Sequence, residues 1–224
     1  MATIVIGVDG GLTVGGCVAL NVNEASVCGF EWWCARNENE GRYLVSEAVK
    51  RLAVSIPYES TYNILVAEGV YMKTHIRRIK SEEELNKVMS AKGFVDVTGP
   101  GNRTPITVSQ SVGVFLFLWP KPYVELTSSE WRKIVGIPVG KGIPYKEWAI
   151  RKAQEHIKSL GGQAEALRVN IVKGNDHLAE AYLIALAGLE VAIRKGFAGN
   201  ATNSLLHRSF AGVPRGEGSE RERE

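Results

Sequence analysis

The chain has 224 residues, 45% apolar and 23% charged, the ordinary makeup of a soluble globular protein with material for one sizeable core or two small ones. Its formal net charge of +3 permits a nucleic-acid partner without arguing for one. The longest aromatic-apolar run, VGVFLFLW at 112–119, is too short to cross a bilayer and no basic-then-apolar leader opens the chain, so a cytoplasmic protein is expected.

TIVIGVD (3–9) is a short β-forming run bounded by Gly-Gly and reads as a buried central strand. GGCVALNV (15–22) and VCGFEWWC (27–34), joined by a polar turn, read as a hairpin, giving three consecutive antiparallel strands. Cys17, Cys28 and Cys34 lie in these strands without the spacing of a metal knuckle, and are expected to be small buried residues in a reduced compartment. Residues 40–55 place Leu44, Val45, Ala48, Val49 and Leu52 at helical spacing. YNILVAEG (62–69) is the next buried strand and carries Glu68 near its end.

Between 70 and 105 the apolar periodicity breaks, and a surface excursion with a short helix at 81–89 is expected. Residues 106–118 read as an apolar helix stopped at Trp119-Pro120. A strand at 123–127, a short helix at 128–135 capped by Ser128 or Ser129, a glycine loop at 139–144 and a basic helix at 145–160 follow. RVNIV (168–172) reads as a last strand or extended segment, and 176–195 as a helix. Residues 1–196 are thus expected to form one α/β domain with a mixed sheet, and 197–224 a flexible tail that cannot build a core.

Basic residues are unevenly spread. Residues 1–35 hold no Lys or Arg, whereas 121–158 holds Lys121, Arg132, Lys133, Lys141, Lys146, Arg151, Lys152 and Lys158 against four acids. A solvated helix face and a phosphate-binding surface both account for this. Trp131 and Trp148 in the same stretch read as core wedges, and Trp32 and Trp33 as core or dimer packing.

The acids carry the chemical signal. Asp9 and Glu68 each end a strand of otherwise apolar residues, at the edge where open α/β sheets gather their sites. Asp176 and Glu180 are four apart, about 40° from one another around a helix, with His177 beside them. Asp176 alone reads as a helix cap before it reads as a ligand, and Asp9 alone can serve as a turn initiator. Together, four carboxylates and an imidazole cannot all stay ionised in one place without a cation, and oxygen donors suit Mg²⁺.

GVDGGLTVGGCVAL, LVAEGV and NDHLAEAYLIA resemble the three acidic motifs of the RuvC-type Holliday junction resolvases, over residues 4 to about 192. QSVGVFLFL is similar to their small-residue helix, and ELTSSEWRKIVGIPVGKGIPYKEWA to a segment holding a basic residue, glycines and a Lys before a helix. The resemblance implies an RNase H-like fold with the mixed central sheet and three leading antiparallel strands flanked by helices. It also implies a homodimer that hydrolyses two symmetric phosphodiesters of a four-way DNA junction, leaving 5′-phosphate and 3′-hydroxyl ends. Asp9, Glu68, Asp176 and Glu180 take the places of ligands to two Mg²⁺ ions, with Mn²⁺ as a substitute, and His177 joins the active site in an open role. Lys133, Lys141 and Lys146, with Arg77, Arg78 and Lys80 in the excursion, become candidates for backbone phosphates, and Tyr71 for an unstacked base.

Three departures bear on substrate. Glu180 stands where the family usually has Asp, the 70–105 segment is longer than in the usual resolvase, and the tail has no counterpart. A related nuclease for branched or flap DNA and an inactive junction-binding protein are the alternatives. An actin-like kinase would need two lobes and a second phosphate loop, which the chain lacks.

Overall fold

From Ile4 to Val8 the chain alternates around a fully buried strand, so both faces of β1 (Thr3–Asp9) need cover. Ile4, Ile6 and Val8 join one apolar cluster and Val5 the other, as a side-chain period of two demands. The computed structural model describes residues 3–56, 62–68, 110–115, 123–138, 140 and 142–195. The 70–105 excursion, the helix expected at 81–89 and the tail fall outside these residues.

β1 pairs antiparallel with β2 (Val14–Asn21), which pairs antiparallel with β3 (Ser26–Cys34). α1 (Glu38–Ser55) begins two residues before the expected start because the Asn37 side chain accepts the Glu40 N–H and caps it. β4 (Tyr62–Glu68) returns parallel to β1, and β5 (Tyr123–Leu126) lies parallel outside β4. The helical residues 110–115, here α2, sit between them in sequence. A two-residue strand β6 (Gly161–Gly162), unforeseen in the sequence, pairs with the start of β3. The order β5-β4-β1-β2-β3-β6 makes a mixed sheet with three leading antiparallel strands and helices on both faces, the RNase H-like arrangement.

α1 and α2 cover one face through Val45, Ala48, Val49, Leu52 and Phe115. The other face takes α3 (Ser128–Ile134), α4 (Tyr145–Ile157), α5 (Ala164–Val172) and α6 (Asp176–Arg194). α6 is central, buried from Leu178 to Leu189 with the sole exception of half-buried Glu180. It can lie close because the facing positions lack side chains: a Cβ at Gly7 would stand 2.1 Å from the Ala181 carbonyl oxygen, and one at Gly188 2.2 Å from Val66. Among the described residues no helix is long and apolar enough to cross a membrane.

Four expectations are corrected. RVNIV is not extended but the body of α5, where Ala164, Leu167 and Ile171 recur at helical spacing and are buried together; the β-branched run masked that period. α3 is capped by Thr127 rather than Ser128 or Ser129. α4 ends at Ile157, three residues early. Of the cysteines only Cys17 is buried; Cys28 is half-buried against the α1 side of the sheet, and Cys34, the last residue of β3, is exposed. Trp33 is a core residue as expected, whereas Trp32 is 49% exposed.

Candidate active site

The strand period that builds the core also aims the acids. Val5, Gly7 and Asp9 share the face of β1 that meets α6, and Ile64, Val66 and Glu68 share the same face of β4. The parallel register pairs Val8 with Ala67, so Asp9 and Glu68 come next, side by side at the strand ends. Across the sheet Asp9 pairs with Gly16, whose missing side chain leaves room for the start of α6: a Cβ there would stand 3.2 Å from the His177 backbone.

α6 starts where α5 ends. Gly174 adopts a φ of +96°, open to glycine, and lets the chain reverse in three residues. Asn175, not Asp176, is the cap, accepting the Leu178 N–H at 3.2 Å. Asp176 is thereby released from the capping role and turns to α4, where its carboxylate meets the Lys146 ammonium at 2.5 Å.

Each strand acid has its own partner. Asp9 Oδ2 lies 2.6 Å from His177 Nδ1. Glu68 accepts two hydrogen bonds from α3, one from Ser128 Oγ to Oε1 and one from Trp131 Nε1 to Oε2 at 3.0 Å. Glu180 lies in the charge field of both Asp9 and Glu68. The site residues Asp9, Glu68, Asp176, His177 and Glu180 are thus brought to one end of the sheet.

The electrostatics follow from burial and like charge. Burial first, then the charges of Asp9 and Glu68, push the Glu180 carboxyl up to about 7, against the opposing pull of Arg132 and His177. The hydrogen bond to Asp9 raises His177 despite burial, so the ring favours its charged form. Burial raises Asp176, but the Lys146 ammonium and His177 outweigh it and hold the carboxyl below its usual range. Lys146 is raised in turn by Asp176, with Glu180 and Asp9 adding to the field.

Sequence reasoning missed four residues here. Arg132 faces the acids: its guanidinium stacks over Trp131 at 5.1 Å and over Tyr145 at 4.3 Å, and its charge reaches Glu180. Lys133 stands exposed one residue further around α3. Trp131 is the expected core residue, but its indole N–H also serves Glu68, as does Ser128. Tyr145 joins the glycine loop through hydrogen bonds between its hydroxyl and the Gly140 N–H and C=O. The T-S-S-E capping box at 127–130 is the signal that sets this helix's phase. Tyr71, Arg77, Arg78, Lys80 and Lys141 lie outside the described residues.

No three His, Cys, Asp or Glu side chains among the described residues converge on one point as a ready metal cage. In donor chemistry the set nevertheless fits a hard divalent cation: its donors are carboxylate oxygens, and Glu180 gains proton affinity from burial and then from Asp9 and Glu68 beside it. Their present partners are the chain's own donors, His177 on Asp9, Lys146 on Asp176, and Ser128 with Trp131 on Glu68.

Neither a protein-family profile nor a curated protein matches the chain. Solved structures do. One is T. thermophilus RuvC in complex with Holliday junction substrate, aligned over 87% of this chain and 96% of its own at 15% identity and a TM-score of 0.47. A likeness of that size speaks to neither activity nor partner.

Proposed function

We propose that the chain is a cation-dependent DNA endonuclease that cuts four-way junctions in symmetric pairs as a homodimer. The observation that carries the reading is the gathering of Asp9, Glu68, Asp176, His177 and Glu180 at one end of the sheet, with Glu180 pushed up by burial and by its acidic neighbours. An acid buried beside two others is an arrangement that a bound cation would relieve.

Asp9, Glu68, Asp176 and Glu180 would hold Mg²⁺, or Mn²⁺ in its place. When bound, such ions activate water and stabilise charge on the leaving oxygen. The chain's own residues do the rest. Asp9 orients His177 and keeps it charged beside the acids. Lys146, 69% exposed while paired with Asp176, is placed to exchange that carboxylate for a backbone phosphate. Arg132 brings a second fixed positive charge, pinned between two aromatic rings. Two copies supply the two sites that matched nicks require.

The test is a substrate panel of four-way, three-way, flap and linear duplex DNA with mapped cut positions. Paired symmetric nicks in the four-way junction are expected with Mg²⁺. Preference for flaps or three-way branches would move the chemistry to another substrate, and binding without cleavage in either Mg²⁺ or Mn²⁺ would mark a junction-binding protein. Asp9→Asn should abolish cleavage and leave junction binding intact, because it removes a ligand's charge without altering the DNA surface; retained cleavage would remove Asp9 from the site.

A further inference from the structure

Glu68 differs from the other acids in how it is held. Asp9 and Asp176 each meet a charged or chargeable side chain, whereas Glu68 is gripped by two neutral donors from one helix. The start of α3 is set by reciprocal bonds: Thr127 Oγ1 accepts the Glu130 N–H at 3.2 Å, and Glu130 Oε2 accepts the Thr127 N–H at 2.8 Å. With the helix phase so fixed, Ser128 and Trp131, three residues apart, share a face. That face meets the strand end, and the two side chains take opposite oxygens of one carboxylate.

Trp131 has no freedom to do otherwise. Its ring is fully buried in the cluster under α6, and one face is covered by the Arg132 guanidinium. A buried indole N–H needs an acceptor, and the acceptor it has is the strand-terminal acid rather than a backbone carbonyl. One donor on each oxygen stops the carboxylate from rotating and leaves one lone pair on each oxygen for another partner.

We infer that Ser128 and Trp131 are positioning residues for Glu68, holding its carboxylate in one orientation toward the divalent cation that the acids would bind. The inference rests on the endonuclease reading above. In metal sites, the groups that orient ligating side chains tune affinity by about 10- to 100-fold without touching the ion.

Trp131→Phe keeps the ring and deletes the N–H; Ser128→Ala deletes the hydroxyl. The full-length chain, free of DNA, is titrated with Mn²⁺ and followed by electron paramagnetic resonance. Cleavage of a four-way junction is measured across Mn²⁺ concentration, and melting is recorded in chelator. Trp131→Phe should weaken Mn²⁺ binding about tenfold and raise half-saturating Mn²⁺ for cleavage in proportion, with the rate recovering at high Mn²⁺. Ser128→Ala should move both in the same direction by less.

A lower melting temperature with unchanged Mn²⁺ affinity would make Trp131 a core residue alone and overturn the inference. If Trp131→Phe does not fold, Ser128→Ala decides: wild-type affinity in that variant overturns it equally. A wild-type chain that binds no Mn²⁺ and cuts no DNA sinks the endonuclease reading itself. A wild type that binds and cuts, beside variants that do so identically, sinks this inference only.

Discussion

The two parts of α6 are built to opposite rules. From Ala181 to Ala192 nearly every side chain is buried, and the facing sheet offers Gly7 while the helix offers Gly188 to Val66, so backbone meets backbone. At Asp176, His177 and Glu180 the same helix carries three ionisable groups into a half-buried place already holding Asp9 and Glu68. The body gains stability from close packing. The first turns give some of it up, since an acid held beside other acids is worse off folded than free. A helix rigid enough to carry that cost is what allows the charged end to be placed at all.

That contrast can be broken at the body. Gly7→Ala inserts a methyl 2.1 Å from the Ala181 carbonyl and 2.6 Å from the Ala185 nitrogen, and neither backbone atom can step aside alone. A loss of about 3 kcal/mol in urea unfolding is expected, with the acids separated as α6 lifts. An unchanged midpoint would show that the helix does not lie where the packing puts it.

It can be sharpened at the charged end. Burial and the neighbouring Asp9 and Glu68 push the Glu180 carboxyl up to about 7 from its ordinary 4.5, so the folded state binds its proton more tightly than the unfolded chain. The sign follows: its contribution to stability is full below the unfolded value and is lost as pH rises toward 7. In chelator, Glu180→Gln should therefore stabilise the chain by about 2 kcal/mol at pH 8 and by nothing near pH 4. Urea unfolding at the two pH values reads this, and a destabilising Gln at pH 8 would refute the strain assigned to the acidic end.

The smallest effect belongs to the hinge between the two rules. Asn175→Ala removes the cap on the Leu178 N–H and should cost about 1 kcal/mol in the same assay. Asn175→Ser, which keeps a side-chain acceptor for that N–H, should not show that loss; if it does, the Asn175 side chain is not the cap.

Much of the arrangement was legible in the residues. The apolar runs of β1 and β4 carried the prediction that Asp9 and Glu68 end buried strands, and helical spacing announced α1, α4 and α6. The misreadings have different local causes. Thr127, Ser128 and Ser129 are all good cap residues side by side, and only the folded chain shows the Thr127 side chain accepting the Glu130 N–H. RVNIV failed differently: five residues, mostly apolar and partly β-branched, fit a strand and a helix equally well until Ala164 and Leu167 are seen beneath the sheet with Ile171.

By itself the sequence determined which residues are acidic, which strands they end, and that a helix of small residues follows the last of them, because periodicity and composition are local properties. The partners were decided only by tertiary structure. His177 reaches Asp9 across 168 residues, and Trp131 reaches Glu68 across 63, through the close seating of α6 and the capped start of α3. A hydrogen bond depends on tenths of an ångström and on helix phase, and those are settled when the elements pack against one another.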